Sequence, residues 1–378
     1  MRLPLLILLG ILGTLAHRGK RQAATDIPKW PGKTLNYMFS RSLPLEFEAL
    51  FRDAIRYISD HTCIKFHHDE ARREKYSVKI KYDNKNQECF SLYGMQGKEQ
   101  GLKFGYECAH FGNAVHELMH ALGIFHEQAR SDRDQYLVVD SSNHNFNRED
   151  NSYNPVPFDY GSVMLYPRED QSYPKDPEYN FTMGNTRVAF YDMLLINKYY
   201  ECSCQGNPEL QCQNGGYQNP AKCSQCICTP GFSGDLCQDT DGQVFTAMDY
   251  WQDGFYAQDS LRGFPRDSLV PERFFYVVAP PNKKIQVQLT NLDGFFCAYS
   301  CQFNGVEVKY KEDRRITSPM VCCDNDNLWN KTRTSIHNPT VIVQYGEDRG
   351  PKLGFRYRFV DDDVAAADNE GLKDNKIH

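Results

Sequence analysis

The chain has 378 residues, 40% of them hydrophobic and 13% aromatic, and a formal net charge of -6. That length exceeds one ordinary core and predicts two or three domains, while the apolar content excludes wholesale disorder. A small negative charge with no basic stripe argues against nucleic acid as the main partner.

Arg2 precedes an apolar run from Leu3 to Leu15 that is too short to span a bilayer. Small residues follow at Thr14-Leu15-Ala16, so residues 1–16 read as a signal peptide. Residues 17–21 hold Arg18-Gly19-Lys20-Arg21, either a solvated charge run or a short basic pro-segment of the kind proprotein convertases cut. Cleavage there would begin the mature chain at Gln22. Fourteen cysteines, an even number, predict disulfides and an oxidising compartment. No later stretch is long and apolar enough for a membrane anchor, so the expected destination is extracellular. The sequons Asn180-Phe181-Thr182 and Asn330-Lys331-Thr332 suit that route as glycosylation sites.

Residues 22–202 mix helical and strand patterns. Phe47, Leu50, Phe51, Ala54, Ile55 and Ile58 recur at helical spacing and predict an amphipathic helix that covers a sheet. Tyr76, Val78, Ile80 and Tyr82 alternate with Ser77, Lys79 and Lys81, the period of a half-buried strand. This block is therefore mixed α+β. In residues 203–238 six cysteines crowd together with turn chemistry at Asn214-Gly215-Gly216 and Pro230-Gly231-Phe232. So short a segment cannot bury a core and needs disulfide staples. Residues 241–360 show short apolar and aromatic runs, among them Ile285 to Leu289 and Val341 to Val343, which read as an all-β sandwich. Residues 361–378 are acidic and poor in aromatics, and are expected to be disordered.

The histidine spacing carries the chemistry. On a helix His116 and His120 sit one above the other, close enough to share one metal ion, with Glu117 to their side. Val115, Leu118, Met119 and Leu122 take the remaining face, which can pack while the first lines a cleft. A third ligand at His126 on the same straight helix would point away. Gly123 lets the chain leave the helix and turn His126 back. Three histidines leave a coordination position open, the mark of a catalytic zinc, and Glu117 is placed to act as general base toward a water. His61, His67, His68, His110 and His144 have no such spacing and read as surface residues.

The residues beyond His126 resemble one family. His116 through Asp134, with Glu127 directly after the third histidine, closely resembles the signature of the astacins, which are metzincin zinc endopeptidases. Ser162-Val163-Met164-Leu165-Tyr166 is similar to the astacin methionine turn, although the family commonly has His where Leu165 stands. The resemblance implies one zinc ion per chain, Met164 as an apolar floor beneath it, and Tyr166 as a ligand that swings away to stabilise the oxyanion. It implies that the freed N-terminus is buried near Glu127, and Trp30 lies at a fitting distance from Gln22. It also implies the pairs Cys63–Cys202 and Cys89–Cys108, where spacing alone allows three pairings. The family's usual zinc-blocking propeptide aspartate has no counterpart between His17 and Arg21, so activation is expected to depend on freeing the N-terminus.

Cys204, Cys212, Cys223, Cys226, Cys228 and Cys237 resemble an EGF-like module, which implies the pairs Cys204–Cys223, Cys212–Cys226 and Cys228–Cys237. The third block resembles a CUB domain, a β-sandwich used for protein contacts, but Cys297, Cys301, Cys322 and Cys323 are not spaced as a typical CUB pair of bridges and their pairing stays open. The expected function is a secreted zinc endopeptidase acting on extracellular proteins or peptides, with the two smaller modules choosing or placing the substrate. The competing reading is a catalytically inactive adaptor that works through those modules. Inactive homologues usually lose a ligand or the base, and here all four residues are present.

Overall fold

The computed structural model describes residues 27–361 except 72, 86–87, 141–145, 150–151, 170, 258–270, 325–327 and 347–351. The signal peptide, the basic pro-segment, Gln22, His144 and the tail beyond Asp361 lie outside the described residues. No described helix is long and apolar enough to cross a membrane.

The first block is built on a five-stranded sheet. Its strands are β1 (Thr34–Phe39), β2 (Lys65–His68), β3 (Val78–Tyr82), β4 (Phe90–Ser91) and β5 (Gln100–Phe104), in spatial order β2-β1-β3-β5-β4. The first four in that order run parallel, and β4 pairs antiparallel to β5 at one edge. Parallel neighbours require crossovers. Helix α1 (Leu45–His61) supplies one of them, between β1 and β2.

The apolar stripe of α1 explains its docking. Phe47, Phe51, Ala54, Ile55 and Ile58 are buried, with Leu50 half-buried at the margin. The Phe47 and Phe51 rings meet Phe104 of β5 at centroid distances of 5.3 and 4.9 Å. Truncating such a buried ring costs about 3–5 kcal/mol. The strand expected from Tyr76 begins instead at Val78. Ser77 accepts a backbone bond from Gln100, and Val78 and Ile80 then turn inward. Helix α2 (Phe111–Ala121) carries the histidine pair, and α3 (Phe190–Tyr199) closes the block.

The six-cysteine segment contains one small antiparallel pair, β8 (Tyr217–Gln218) with β9 (Cys226–Ile227), after the antiparallel pair of β6 (Leu137–Val139) and β7 (Ser172–Pro174) in the first block. Its bonds are Cys204–Cys223, Cys212–Cys226 and Cys228–Cys237. Few apolar side chains are buried here, so these links do what a core does elsewhere, at about 2–4 kcal/mol each. Cys63–Cys202 and Cys89–Cys108 are joined in the first block.

The described strands between Gln243 and Val360 form two packed sheets. One has the order β10 (Gln243–Thr246), β12 (Glu272–Val278), β17 (Thr340–Gly346), β14 (Asn304–Val308), β15 (Met320–Val321). The other runs β11 (Gln252–Ala257), β18 (Lys352–Val360), β13 (Lys284–Asp293), β16 (Arg333–Ser335). Alternate residues face inward, so Phe275, Val277, Ile285, Val287, Ile342 and Phe355 share one core. The pairing left open by sequence is Cys297–Cys323 and Cys301–Cys322. Two adjacent cysteines after β15 thus hold both ends of one loop.

The sandwich is keyed into the first block rather than hung from it. Arg187 forms ion pairs with Glu272 and, at 3.4 Å, with Glu307, whose other oxygen meets Lys309 at 2.8 Å. Glu178 accepts from Lys331 and Tyr310, Tyr191 donates to Asp313, and the Met320 N–H donates to Thr182 at 2.9 Å. Burial opposes ionisation of Glu307, but the Lys309 and Arg187 charges hold its carboxyl below the ordinary range.

Candidate metal centre and active site

Helix α2 ends where the sequence demands. Gly123 takes φ +95°, its N–H donates to the His120 carbonyl at 2.8 Å, and the Ile124 N–H donates to the Met119 carbonyl at 3.0 Å. This is the Schellman arrangement, which needs a left-handed residue after the helix. Val115, Leu118, Met119 and Leu122 are fully buried, so the opposite face is fixed as firmly as the turn.

The turn brings His126 back to the helix. Its Nε2 lies 3.2 Å from Nε2 of His116 and 3.1 Å from Nε2 of His120. Among the described residues these three form the one group able to hold a metal. The His116 Nδ1 faces the Val163 carbonyl at 2.7 Å and the His120 Nδ1 faces the Ile124 carbonyl at 2.8 Å. A carbonyl only accepts, so each of these Nδ1 atoms carries the proton and each Nε2 presents a lone pair. Ligands about 2.0–2.1 Å from a tetrahedral zinc lie about 3.3–3.4 Å apart, close to the spacing seen. Burial lowers the His116 imidazole to about 4 and those of His120 and His126 well below the usual value, with neighbouring imidazoles adding to the effect on the last two. All three are therefore neutral at pH 7, as a ligand set requires.

Glu117 is 5% exposed, and its Oε2 has no hydrogen-bond partner among the described residues. Burial pushes its carboxyl up to about 8. A buried, unpartnered oxygen beside three converging lone pairs fits a site that takes a cation and a water. The cleft here measures about 380 Å³ and is lined by Ser91, Tyr93, the three histidines, Leu165 and Tyr166 among others. Tyr166 is half-buried, its ring 4.4 Å from that of His126, and burial followed by the charge of Glu117 raises its phenol. Met164 is fully buried in the core beneath.

Glu127 is buried, and its Oε1 accepts from Arg130 at 3.2 Å and from the Asp159 N–H at 3.0 Å. Burial raises its carboxyl to about 8 against the opposing Arg130 charge. Its expected neighbour at the N-terminus lies outside the described residues. Trp30 is buried and donates from Nε1 to the Ala121 carbonyl at 2.7 Å, so the described chain starts against the end of the zinc helix. Asn330 is exposed, whereas Asn180 is half-buried beside a fully buried Thr182. His61 is no free surface residue, since its ring stacks on Tyr57 at 4.2 Å and its Nδ1 meets the Tyr57 carbonyl.

Sequence reasoning passed over Asp192. Buried on α3, its carboxylate accepts from Ser162 Oγ at 2.6 Å, the Val163 N–H at 3.0 Å and the Ala189 N–H at 2.8 Å. Since the Val163 carbonyl holds His116, Asp192 positions the first ligand through one residue, Val163, whose N–H it accepts. Gln128 acts similarly, accepting the Tyr166 N–H at 3.2 Å. A signal for Asp192 existed in the lone acid of the apolar run Phe190 to Ile196, because an unpaired carboxylate is rarely left inside a helix's packed face.

Residues 22–201 match the model of the peptidase family described as astacin. The chain is 50% identical over 376 residues to the zinc metalloproteinase nas-20 of Caenorhabditis elegans, covering 97% of each chain. It is 38% identical over 368 residues to nas-17 of the same organism, covering 93% of this chain and 84% of the relative. Among solved structures, high choriolytic enzyme 1, a hatching enzyme zinc-protease of Oryzias latipes, is 30% identical with a TM-score of 0.41, over 47% of this chain and 94% of that one. This chain belongs to the astacin family and is a zinc metalloendopeptidase.

Proposed function

We propose that the protein is a secreted endopeptidase that cleaves internal bonds of extracellular polypeptides, with Glu117 as general base. The observation that carries the base assignment is the buried, partnerless Glu117 oxygen beside the three Nε2 atoms. When bound, zinc supplies a Lewis acid and brings the pKa of a coordinated water toward 7. A carboxylate next to that cation keeps its charge, takes the proton of the attacking water and returns it to the leaving amine. Tyr166, at the rim beside His126, is placed to donate its phenolic proton to the developing oxyanion. The outer edge of β4 has no strand partner among the described residues and lines the cleft, so an extended substrate can add there by backbone pairing.

Secretion is supported by the apolar N-terminal run and by seven disulfides with no free cysteine among the described residues. We read the six-cysteine segment as an EGF-like module and the sandwich as CUB-like, one a stapled hairpin and the other two packed sheets. Asn330, exposed near β16, is the better placed of the two glycosylation sites. The test is Glu117→Gln in the mature chain. Zinc content should stay near one per chain while peptide cleavage falls about 10²–10⁴-fold. Cleavage at the wild-type rate would remove Glu117 from the mechanism.

A further inference from the structure

We infer that the β-sandwich is a buttress of the peptidase site, acting through Thr317 on Asp159 and so on the methionine turn. Asp159 is 1% exposed and lies just before that turn. Its Oδ1 accepts the Gly161 N–H at 2.8 Å, its carbonyl accepts the Ser162 N–H at 3.0 Å, and its own N–H donates to Glu127. Its Oδ2 is held from the other domain, by the Thr317 N–H and Oγ–H, each at 3.2 Å. The loop bearing Thr317 is itself anchored, since the Ser318 N–H donates to Glu307 at 2.7 Å.

Packing is as close as the polar contacts. A Cβ placed on Gly161 would lie 2.3–2.4 Å from three side-chain atoms of Thr317. No real carbon sits so near, so the sandwich leaves room there for hydrogen alone. Two residues later the Val163 carbonyl holds the His116 imidazole. Thr317 and Asp159 are therefore positioning residues. Loosening them moves a metal ligand and the turn beneath it, while the lining residues Ser91 and Tyr93 come from β4 and the residues just after it, a different part of the chain, and stay in place. The expected signature is a change in kcat and in zinc retention, with KM preserved.

The inference rests on this cleft being the peptidase centre, and the full mature chain tests both separately. If the unsubstituted chain shows no chelator-sensitive cleavage, the site reading fails, whereas zinc release to a competing chelator still tests the buttress. Thr317→Val keeps the shape and removes one hydrogen bond. It should lower kcat several-fold and speed zinc release, with KM within about twofold, and Thr317→Ser should restore both. Gly161→Ala should cost on the order of 10–100-fold in kcat. In a Thr317→Gly background, where the obstructing atoms are gone, the same change should add almost nothing. The buttress is refuted if Thr317→Val changes neither quantity, if it changes KM alone, or if Gly161→Ala does equal harm in both backgrounds.

Discussion

From His116 to His126 every metal-binding atom comes from one short stretch, whereas at the seam Arg187 meets partners 85 and 120 positions away. Both regions bury polar groups, and both must satisfy them. The metal centre does so with backbone carbonyls, that of Ile124 within the same stretch and that of Val163 in the methionine turn. The seam does so with opposite charges that exist only when two domains have met. Local geometry can be read from spacing, and long-range complementarity cannot. The two regions should accordingly fail in different ways.

The largest effect is expected at the metal centre. His126→Ala removes a ligand, and loss of zinc catalysis withdraws several kcal/mol of barrier lowering, on the order of a thousandfold in rate. Chelation of the unsubstituted chain should match it, with activity returning on addition of zinc. Since the core beneath is apolar and intact, thermal unfolding of metal-free protein should shift much less than activity does, and complete unfolding on chelation would blur the contrast between the regions.

At the seam the order reverses. Glu307→Gln leaves Arg187 and Lys309 facing a neutral amide, and breaking a buried ion pair in this way costs about 3 kcal/mol of stability although no metal ligand is removed. Glu307 has an ordinary value of 4.5 and sits lower in the fold. Its contribution is thus complete above about pH 4.5 and is lost as pH falls through the lower, folded value. The gap in unfolding temperature between wild type and Glu307→Gln should be widest near pH 6 and narrow toward pH 3. A gap that does not vary with pH would mean the carboxylate charge is irrelevant there.

A smaller effect is expected where the two kinds of information overlap. Gly123→Ala puts a Cβ at a backbone φ of +95° and within 3.1 Å of the Tyr199 hydroxyl. That strain costs about 1–2 kcal/mol. Because Gly123 also aims His126, zinc affinity measured by competition should drop together with stability. Equal affinity in the variant would show that the turn tolerates the strain without moving the ligand.

These differences show what the sequence reveals. The stripe of α1, the inward faces of β3 and the left-handed turn at Gly123 follow from local periodicity and backbone sterics, and the structure contains them. Tyr76 falls outside its expected strand because a strand edge is decided by where the partner begins to pair, here Gln100. The bridges Cys297–Cys323 and Cys301–Cys322 were not legible, since a cysteine carries no label for its partner and two adjacent residues each choose one. Asp192 was overlooked for a related reason. Its three donors lie in the methionine turn and at the start of α3, and only the fold joins them.

Arg187 has a consequence for how such chains diversify. A binding domain joined by a flexible string can be exchanged for another without disturbing its neighbour. Here, deleting or replacing the sandwich would strip Arg187 of Glu272 and Glu307 and leave a cation stranded on a surface shaped for burial. The sandwich is therefore not a freely exchangeable part, because any replacement would have to bring its own carboxylates to Arg187.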